Sequence, residues 1–118
     1  YEKAEDCYII PEGKDPYYTA KFMTITFDCK KEMIEKSPAV VHIDNTARPQ
    51  LIKKKDNEFY YNIVHEYYKI TGIPSLVNTS FNMHEEPIVC TPNEAIISFK
   101  KSSLDFLCIG PYLLSNEK

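Results

Sequence analysis

A polar segment near the middle of the sequence directly follows an apolar run. The segment reads H-I-D-N-T-A-R-P-Q from position 42 to position 50. Side chains of an extended chain alternate between two faces, so His42 and Asp44 share one face, and Arg48 and Gln50 share a face for the same reason. An arginine offers a planar fork of donors that matches phosphate or carboxylate, and its charge is fixed at any workable pH. Arg48 is therefore the strongest candidate for an anion ligand, with Thr46 and Gln50 beside it.

A second polar cluster follows the short apolar run at residues 74–77. Its polar members are Asn78, Thr79, Ser80 and Asn82. Short polar side chains and backbone amides after a buried strand can form a concave nest for phosphate oxygens. In open α/β sheets, ligands favour the crevice beyond the carboxyl ends of the strands. We therefore expect this cluster to converge with Arg48 on one crevice and to bind a phosphorylated ligand.

Each cluster also has an interpretation that involves no ligand. Arg48 would then pair with Asp44 across the turn, and the cluster after residue 77 would form a tight turn stabilised by its own side chains. A third alternative is a metal site at His42, Asp44 and His84 with one open position. We predict no metal site, because the sequence has no HExxH motif and no close cysteine spacing.

The cysteine and glycine content narrows the chemistry further. Cys7, Cys29, Cys90 and Cys108 are scattered, which favours free thiols in a reducing cytoplasm over a metal or disulfide framework. Cys108 lies in an apolar strand pattern and is predicted to be a small core residue. The sequence has neither a Walker A motif nor GxGxxG, and its 3 glycines are too few for a glycine-rich phosphate loop.

Length and charge fit one soluble α/β domain. The 118 residues carry a formal net charge of −3, which argues against sequence-independent nucleic-acid binding. No apolar run approaches the roughly 20 residues needed to cross a bilayer, so we expect no membrane association. The sequence begins without an initiator methionine, and residues 1–8 resemble the tail of an amphipathic segment. We therefore expect a truncated fragment of a longer protein.

The predicted elements place both clusters at the ends of strands. Strands are predicted at residues 21–29, 39–43, 46–52, 74–77, 105–109 and 112–114. Helices are predicted at residues 30–36, from Asn57 to Gly72, and after the N-cap Thr91. The Asn57 helix has an apolar stripe of Phe59, Ile63, Val64, Tyr67 and Ile70, which we expect to face the core. Because strands and helices alternate in the second half, we predict some parallel strand pairing.

The two clusters together resemble the C-terminal domain of the O-carbamoyltransferases, the family of nodulation-factor and antibiotic carbamoyltransferases. The motifs are H-x-D-x-T-A-R-x-Q and G-x-P-x-L-x-N-T-S-F-N-x-x-x-E-P-I-V, and the similarity covers residues 39–114. The resemblance implies a single YrdC-like domain over residues 1–118, with a twisted mixed sheet and flanking helices. It also implies binding of carbamoyl phosphate and of ATP with Mg²⁺ as substrates, formation of carbamoyl-adenylate, and no tightly bound cofactor. A separate N-terminal domain of the actin-like ATPase superfamily would pass the carbamoyl group to an acceptor hydroxyl.

Residue by residue, Ser80-Phe81-Asn82 matches the SxN element of YrdC-like domains, and Arg48 matches the arginine of the TARxQ segment. From these matches and the residue types we predict that Arg48 has the catalytic role. We predict that substrate and nucleotide are contacted by Thr46, Arg48, Gln50, Asn78, Thr79, Ser80 and Asn82. His42 and Asp44 are expected to orient the turn behind the ligand.

The KxR element of the family is expected upstream of residue 1, so we expect the isolated 118 residues to be inactive. The alternative function is a non-catalytic interaction module or a nucleotide- or RNA-binding module. In that interpretation a row of amphipathic tyrosines forms part of the contact surface. The row consists of Tyr60, Tyr61, Tyr67 and Tyr68.

Overall fold

The computed structural model describes residues 2–13 and 15–116. They form two compact units, one that ends at Val77 and one that begins at Asn78. Each unit has its own apolar cluster, and each is described by itself. The amphipathic tail predicted at the start of the chain includes Tyr1, which lies outside the described residues.

The first unit combines short helices with a small antiparallel sheet. Its α-helices are α1 (Ala4–Cys7), α2 (Pro16–Thr19), α3 (Lys31–Lys36) and α4 (Glu58–Thr71), with 3₁₀ turns at Ala20–Phe22 and Pro38–Val40. Its strands are β1 (Tyr8–Ile9), β2 (Phe27–Cys29) and β3 (Thr46–Ala47), in the order β1-β2-β3. Both pairs are antiparallel, and Phe27 lies opposite Ala47. The sheet therefore ties the segment that carries Arg48 to the centre of this unit.

Phe27 is the centre of the core of the first unit. Its side chain is 1% exposed, and the ring of Tyr8 packs against it edge to face with 6.1 Å between the ring centroids. The buried members of this core are Ala4, Cys7, Tyr8, Ala20, Phe27, Cys29, Met33, Ala47 and Leu51. These residues come from α1, α3, all three strands, the 3₁₀ turn at Ala20–Phe22 and the segment after β3, so packing rather than strand length holds the short sheet together.

The second unit packs one helix against a hairpin. Helix α5 spans Pro92–Lys101, and the antiparallel strands β4 (Phe106–Ile109) and β5 (Tyr112–Ser115) pair with Leu107 opposite Leu114. The side chain of Thr91 accepts from the backbone N–H of Glu94, while the Glu94 carboxylate accepts from the backbone N–H of Thr91, which forms a capping box. Ala95, Phe99 and Leu107 form the buried cluster between helix and hairpin.

The predicted fold class is confirmed, since helices and sheets share the chain, and all three predicted helices are present. Parallel pairing is wrong: every strand pair in the described residues is antiparallel. The predicted strand at 39–43 begins in a 3₁₀ turn that starts at Pro38, and residues 74–77 pair with no strand. Of residues 21–29 only the last three form a strand, because Met23 adopts a left-handed conformation with φ 52°.

Only part of the predicted apolar stripe of α4 faces the core. Val64 and Tyr67 are half-buried, whereas the exposed fractions are 70% for Phe59, 44% for Ile63 and 84% for Ile70. At 100° per residue those three side chains lie within about 40° of one another. They form an exposed apolar face, called here the α4 strip, beside the side of the helix that packs, and the carboxylate of Glu66 lies between Ile63 and Ile70 along that face. No helix in the described part of the chain has the length and apolarity that crossing a bilayer requires.

Candidate functional site

The segment after β3 continues the alternation of an extended strand. Ala47, Pro49 and Leu51 are buried, while Arg48 and Gln50 are exposed between them. The backbone N–H of Leu51 donates to the carbonyl of Ala20 at 2.9 Å, which anchors the end of the segment. The inward side chains therefore fix the direction of the outward ones. This alternation explains why a polar segment leaves the core intact, and it confirms that Arg48 and Gln50 share a face.

A tight turn precedes β3. The backbone N–H of His42 donates to the carbonyl of Thr46 at 2.7 Å, and the backbone N–H of Asn45 donates to the carbonyl of His42 at 3.0 Å. Asn45 has φ 63°, a left-handed conformation that asparagine tolerates better than most residues. The turn closes on its own backbone, which places the side chains of residues 42, 44 and 46 close together.

Three of these side chains form a hydrogen-bonded chain. The hydroxyl of Thr46 donates to Oδ1 of Asp44 at 2.8 Å, and the backbone N–H of Thr46 donates to the same oxygen at 3.0 Å. Nδ1 of His42 lies 2.9 Å from Oγ1 of Thr46. The Thr46 hydroxyl, followed by the Thr46 backbone N–H, holds the pKa of Asp44 below its usual value, because both bonds favour the charged carboxylate. Asp44 is therefore an ionised acceptor that Thr46 engages.

Arg48 does not pair with Asp44. Within residues 2–13 and 15–116, the guanidinium has neither an ion pair nor a hydrogen bond, and the side chain is exposed. The interpretation of an ion pair across the turn is therefore wrong, because Thr46 supplies the partners of Asp44 instead. An exposed guanidinium keeps all its donors for an anion.

The cluster that opens the second unit has a different arrangement. The side-chain amide of Asn82 donates to the carbonyls of Met83 and Glu86, each at 3.0 Å, and the backbone N–H of Val89 donates to the carbonyl of Phe81 at 3.0 Å. Asn82 thus stabilises the loop, as the turn interpretation predicts for this residue. The remaining predicted ligands of the cluster are exposed at its start. They are Asn78, Thr79 and Ser80.

Arg48 belongs to the first unit and Ser80 to the second, so their convergence on one crevice stays a prediction. Within the first unit the structure brings together His42, Asp44 and Thr46, with Arg48 two residues further along the same segment. In the described parts of the chain, no group of three histidine, cysteine or acidic side chains lies close enough together to hold a metal ion.

Sequence reasoning missed a cavity of about 450 Å³ in the first unit. Lys3, Lys30 and Lys36 line it, at positions too scattered to form a motif. Each lysine already has an oxygen partner: the ammonium of Lys3 is 3.0 Å from Asp6, Lys36 pairs with Glu32, and Lys30 donates to the carbonyl of Glu5. The cavity therefore offers a ligand no unpaired cation of the kind that Arg48 provides.

The hydrogen-bonded chain at the turn predicts a change in one titration. Replacing Thr46 with valine removes the hydroxyl donor, so we expect the pKa of Asp44 to rise towards its usual value. Because the native pKa is lowered, the stabilisation exists at neutral pH and disappears as the pH falls through that value. Carbon-13 NMR of the Asp44 carboxyl against pH measures the change. Thr24→Val is the control, and an Asp44 titration identical in both variants would contradict the assigned bond.

Comparison with known proteins shows that the chain is a domain of a transferase family. More particularly, the chain belongs to the family described as Carbamoyltransferase C-terminus, whose profile matches residues 2–116. This membership confirms the resemblance carried by the two sequence motifs.

Similar proteins are considerably longer. The uncharacterized protein MJ1051 of Methanocaldococcus jannaschii is 44% identical over 113 residues, which cover 96% of this chain and 21% of that protein. The nodulation protein NolO of Bradyrhizobium diazoefficiens is 34% identical, with 96% of this chain and 20% of the relative covered. The nodulation protein NolNO of Sinorhizobium fredii is 33% identical, with 96% and 16% covered. The chain thus spans about a fifth of these relatives or less.

Proposed function

We propose that this chain is the part of an O-carbamoyltransferase that binds carbamoyl phosphate and ATP for the formation of carbamoyl-adenylate. The observation that carries the proposal is Arg48: an exposed guanidinium, held outward by the buried Ala47 and Pro49, with no partner among the described residues. Family membership supports carbamoyl chemistry as the purpose of that anion site.

The proposed chemistry suits these residue types. Water first cleaves carbamoyl phosphate into carbamate and phosphate, and a carbamate oxygen then attacks the α-phosphorus of ATP and displaces pyrophosphate. The main tasks are therefore to align two anions and to stabilise charge on phosphorus. In the proposal Arg48 binds a phosphate or carbamate oxygen, and Thr46 and Gln50 border it on the same segment. Asn78, Thr79 and Ser80 contact the nucleotide phosphates, while Asn82 fixes the loop that presents them. Mg²⁺ arrives with ATP as part of the substrate.

Isothermal titration of the longer protein tests the proposal. We expect heat of binding with carbamoyl phosphate and with ATP, and weaker binding or none with the isolated 118 residues, because part of the cationic site is expected upstream. A titration of the longer protein that stays silent with both ligands would contradict the proposal and favour a non-catalytic module.

The proposed partner is the N-terminal domain of the same longer protein, which we assign to the actin-like ATPase superfamily on the basis of the family resemblance. The α4 strip supports an intramolecular partner, because Phe59, Ile63 and Ile70 expose three large apolar side chains on one face of the helix. The relatives also have about four fifths of their length outside the region that matches this chain. In the proposal this additional polypeptide covers the α4 strip and passes the carbamoyl group to the acceptor hydroxyl.

The tyrosine row gives the rival interaction module little support. The hydroxyl of Tyr61 donates to Glu2 at 3.3 Å, and the ammonium of Lys3 lies 5.7 Å from the centre of the Tyr68 ring. Tyr60 and Tyr67 are half-buried. These tyrosines thus serve packing inside their own unit. The thiols of all four cysteines are free, which supports our proposal that the protein works in the cytoplasm.

A further inference from the structure

We infer that His42 is a specificity-determining residue that accepts a hydrogen bond from the amide of the carbamoyl group at Nε2. The inference rests on the proposed function and deepens it. It assigns to His42 a direct contact with substrate, where the sequence indicated only a residue that orients the turn.

The hydrogen-bonded chain fixes the imidazole tautomer. A hydroxyl has a single proton to donate, and Thr46 donates it to Asp44, since an ionised carboxylate can only accept. The 2.9 Å contact between Oγ1 of Thr46 and Nδ1 of His42 therefore needs its proton from the histidine. In neutral imidazole one nitrogen donates and the other accepts. With the proton on Nδ1, Nε2 is left with its lone pair.

The same hydrogen bonds tie the imidazole of His42 to the segment that carries Arg48. Thr46 and Arg48 are two residues apart on an extended segment, which separates their Cα atoms by about 7 Å. His42 is exposed, and its ring is tied to Thr46 on that segment. The guanidinium of Arg48 and the acceptor Nε2 are thus both held on one short segment of the first unit. They complement a molecule with a phosphate at one end and N–H donors at the other.

Carbamoyl phosphate has this pattern, and acetyl phosphate is its natural comparison. The two differ by an amino group in place of a methyl group, so acetyl phosphate keeps the anion for Arg48 but has no N–H for His42. An acceptor left without a donor on ligand binding loses its hydrogen bond to water. We expect the protein to bind carbamoyl phosphate roughly tenfold more tightly than acetyl phosphate.

Titrations of the longer protein with these two ligands test the inference. His42→Asn keeps a donor to Thr46, because the asparagine amide can occupy the position of Nδ1, but it removes the acceptor at Nε2. We expect this variant to bind the two phosphates with equal affinity, while His65→Asn, an exposed histidine on α4, keeps the wild-type preference. A preference for carbamoyl phosphate that is unchanged in His42→Asn would overturn the inference and leave the proposed function standing.

Two other outcomes also decide the matter. A wild-type protein that binds neither phosphate would refute the proposed function, and with it the role of His42. Independently of any ligand, nitrogen-15 NMR at a pH where His42 is neutral should show the proton on Nδ1. A proton on Nε2 would overturn the inference even if both phosphates bind.

Discussion

Replacing Arg48 with alanine in the longer protein should lower the rate of carbamoyl-adenylate formation by roughly 10²- to 10³-fold, as expected for a preorganised donor to developing charge. The reason is that no other cation lies on the outward face of residues 46–50, so water would have to replace the guanidinium. Release of pyrophosphate, followed in a coupled assay, measures the rate.

Two further variants sharpen the result for Arg48. Arg48→Lys keeps the charge but loses the planar fork of donors, so we expect an intermediate rate. Lys55→Ala removes a positive charge from an exposed turn of the same unit and should leave the rate unchanged. Adenylate formation by Arg48→Ala at the rate of the Lys55→Ala control would refute the role of Arg48 in the reaction.

A charge in the α4 strip should separate this chain from the rest of the longer protein. We expect Ile63→Asp to weaken the contact by about 2–5 kcal/mol, because the proposed interface would enclose an unpaired carboxylate. Since Ile63 is 44% exposed in this chain, the substitution should affect the interface more than the fold of the first unit. Hydrogen exchange of α4 amides in the longer protein measures the change, as faster exchange in the variant.

Asn62→Asp supplies the matched control for the strip. It adds the same charge one residue earlier on α4, at an exposed position outside the strip. We expect its exchange and its transfer activity to match those of the wild-type protein. If Ile63→Asp behaves like Asn62→Asp in both measurements, the α4 strip is not the surface that the N-terminal domain covers.

Local signals made the helices predictable. Asn57 caps α4 by accepting from the backbone N–H of Tyr60, and Gly72 ends it with φ 72°. Thr91 and Glu94 cap the start of α5 with a capping box. In each case the deciding interaction spans only a few residues, so the sequence carries it directly.

The strands depended on partners that the sequence does not display. Residues 39–43 have the apolar composition of a strand, yet the first two of them lie in the 3₁₀ turn Pro38–Val40. In this part of the chain only the two residues of β3 pair with another strand. Cys108 shows the same limit on a smaller scale. The hairpin directs Leu107 to α5 and leaves Cys108 exposed, so its prediction as a core residue is wrong. Apolarity predicted a strand there, but only the packing decides which face is covered.

The sequence predicted which residues form the candidate site better than it predicted the hydrogen bonds among them. The sequence singled out Asp44 and Arg48 and left open an ion pair between them. In the structure the carboxylate of Asp44 accepts hydrogen bonds from Thr46 instead, because the backbone N–H and the hydroxyl of Thr46 reach it within the turn. Competition among neighbouring donors depends on φ and ψ at residues such as Asn45, which residue types alone do not determine.

The contacts of the second unit have a consequence for how the chain acquires its structure. The capping box joins residues three apart, and the β4–β5 hairpin closes through Gly110 and Pro111. Contacts between residues that are near in sequence form quickly, because closing a short loop costs little conformational entropy. We expect α5 and the β4–β5 hairpin to form soon after these residues have left the ribosome, through contacts that do not need the pairing of β1 with β2.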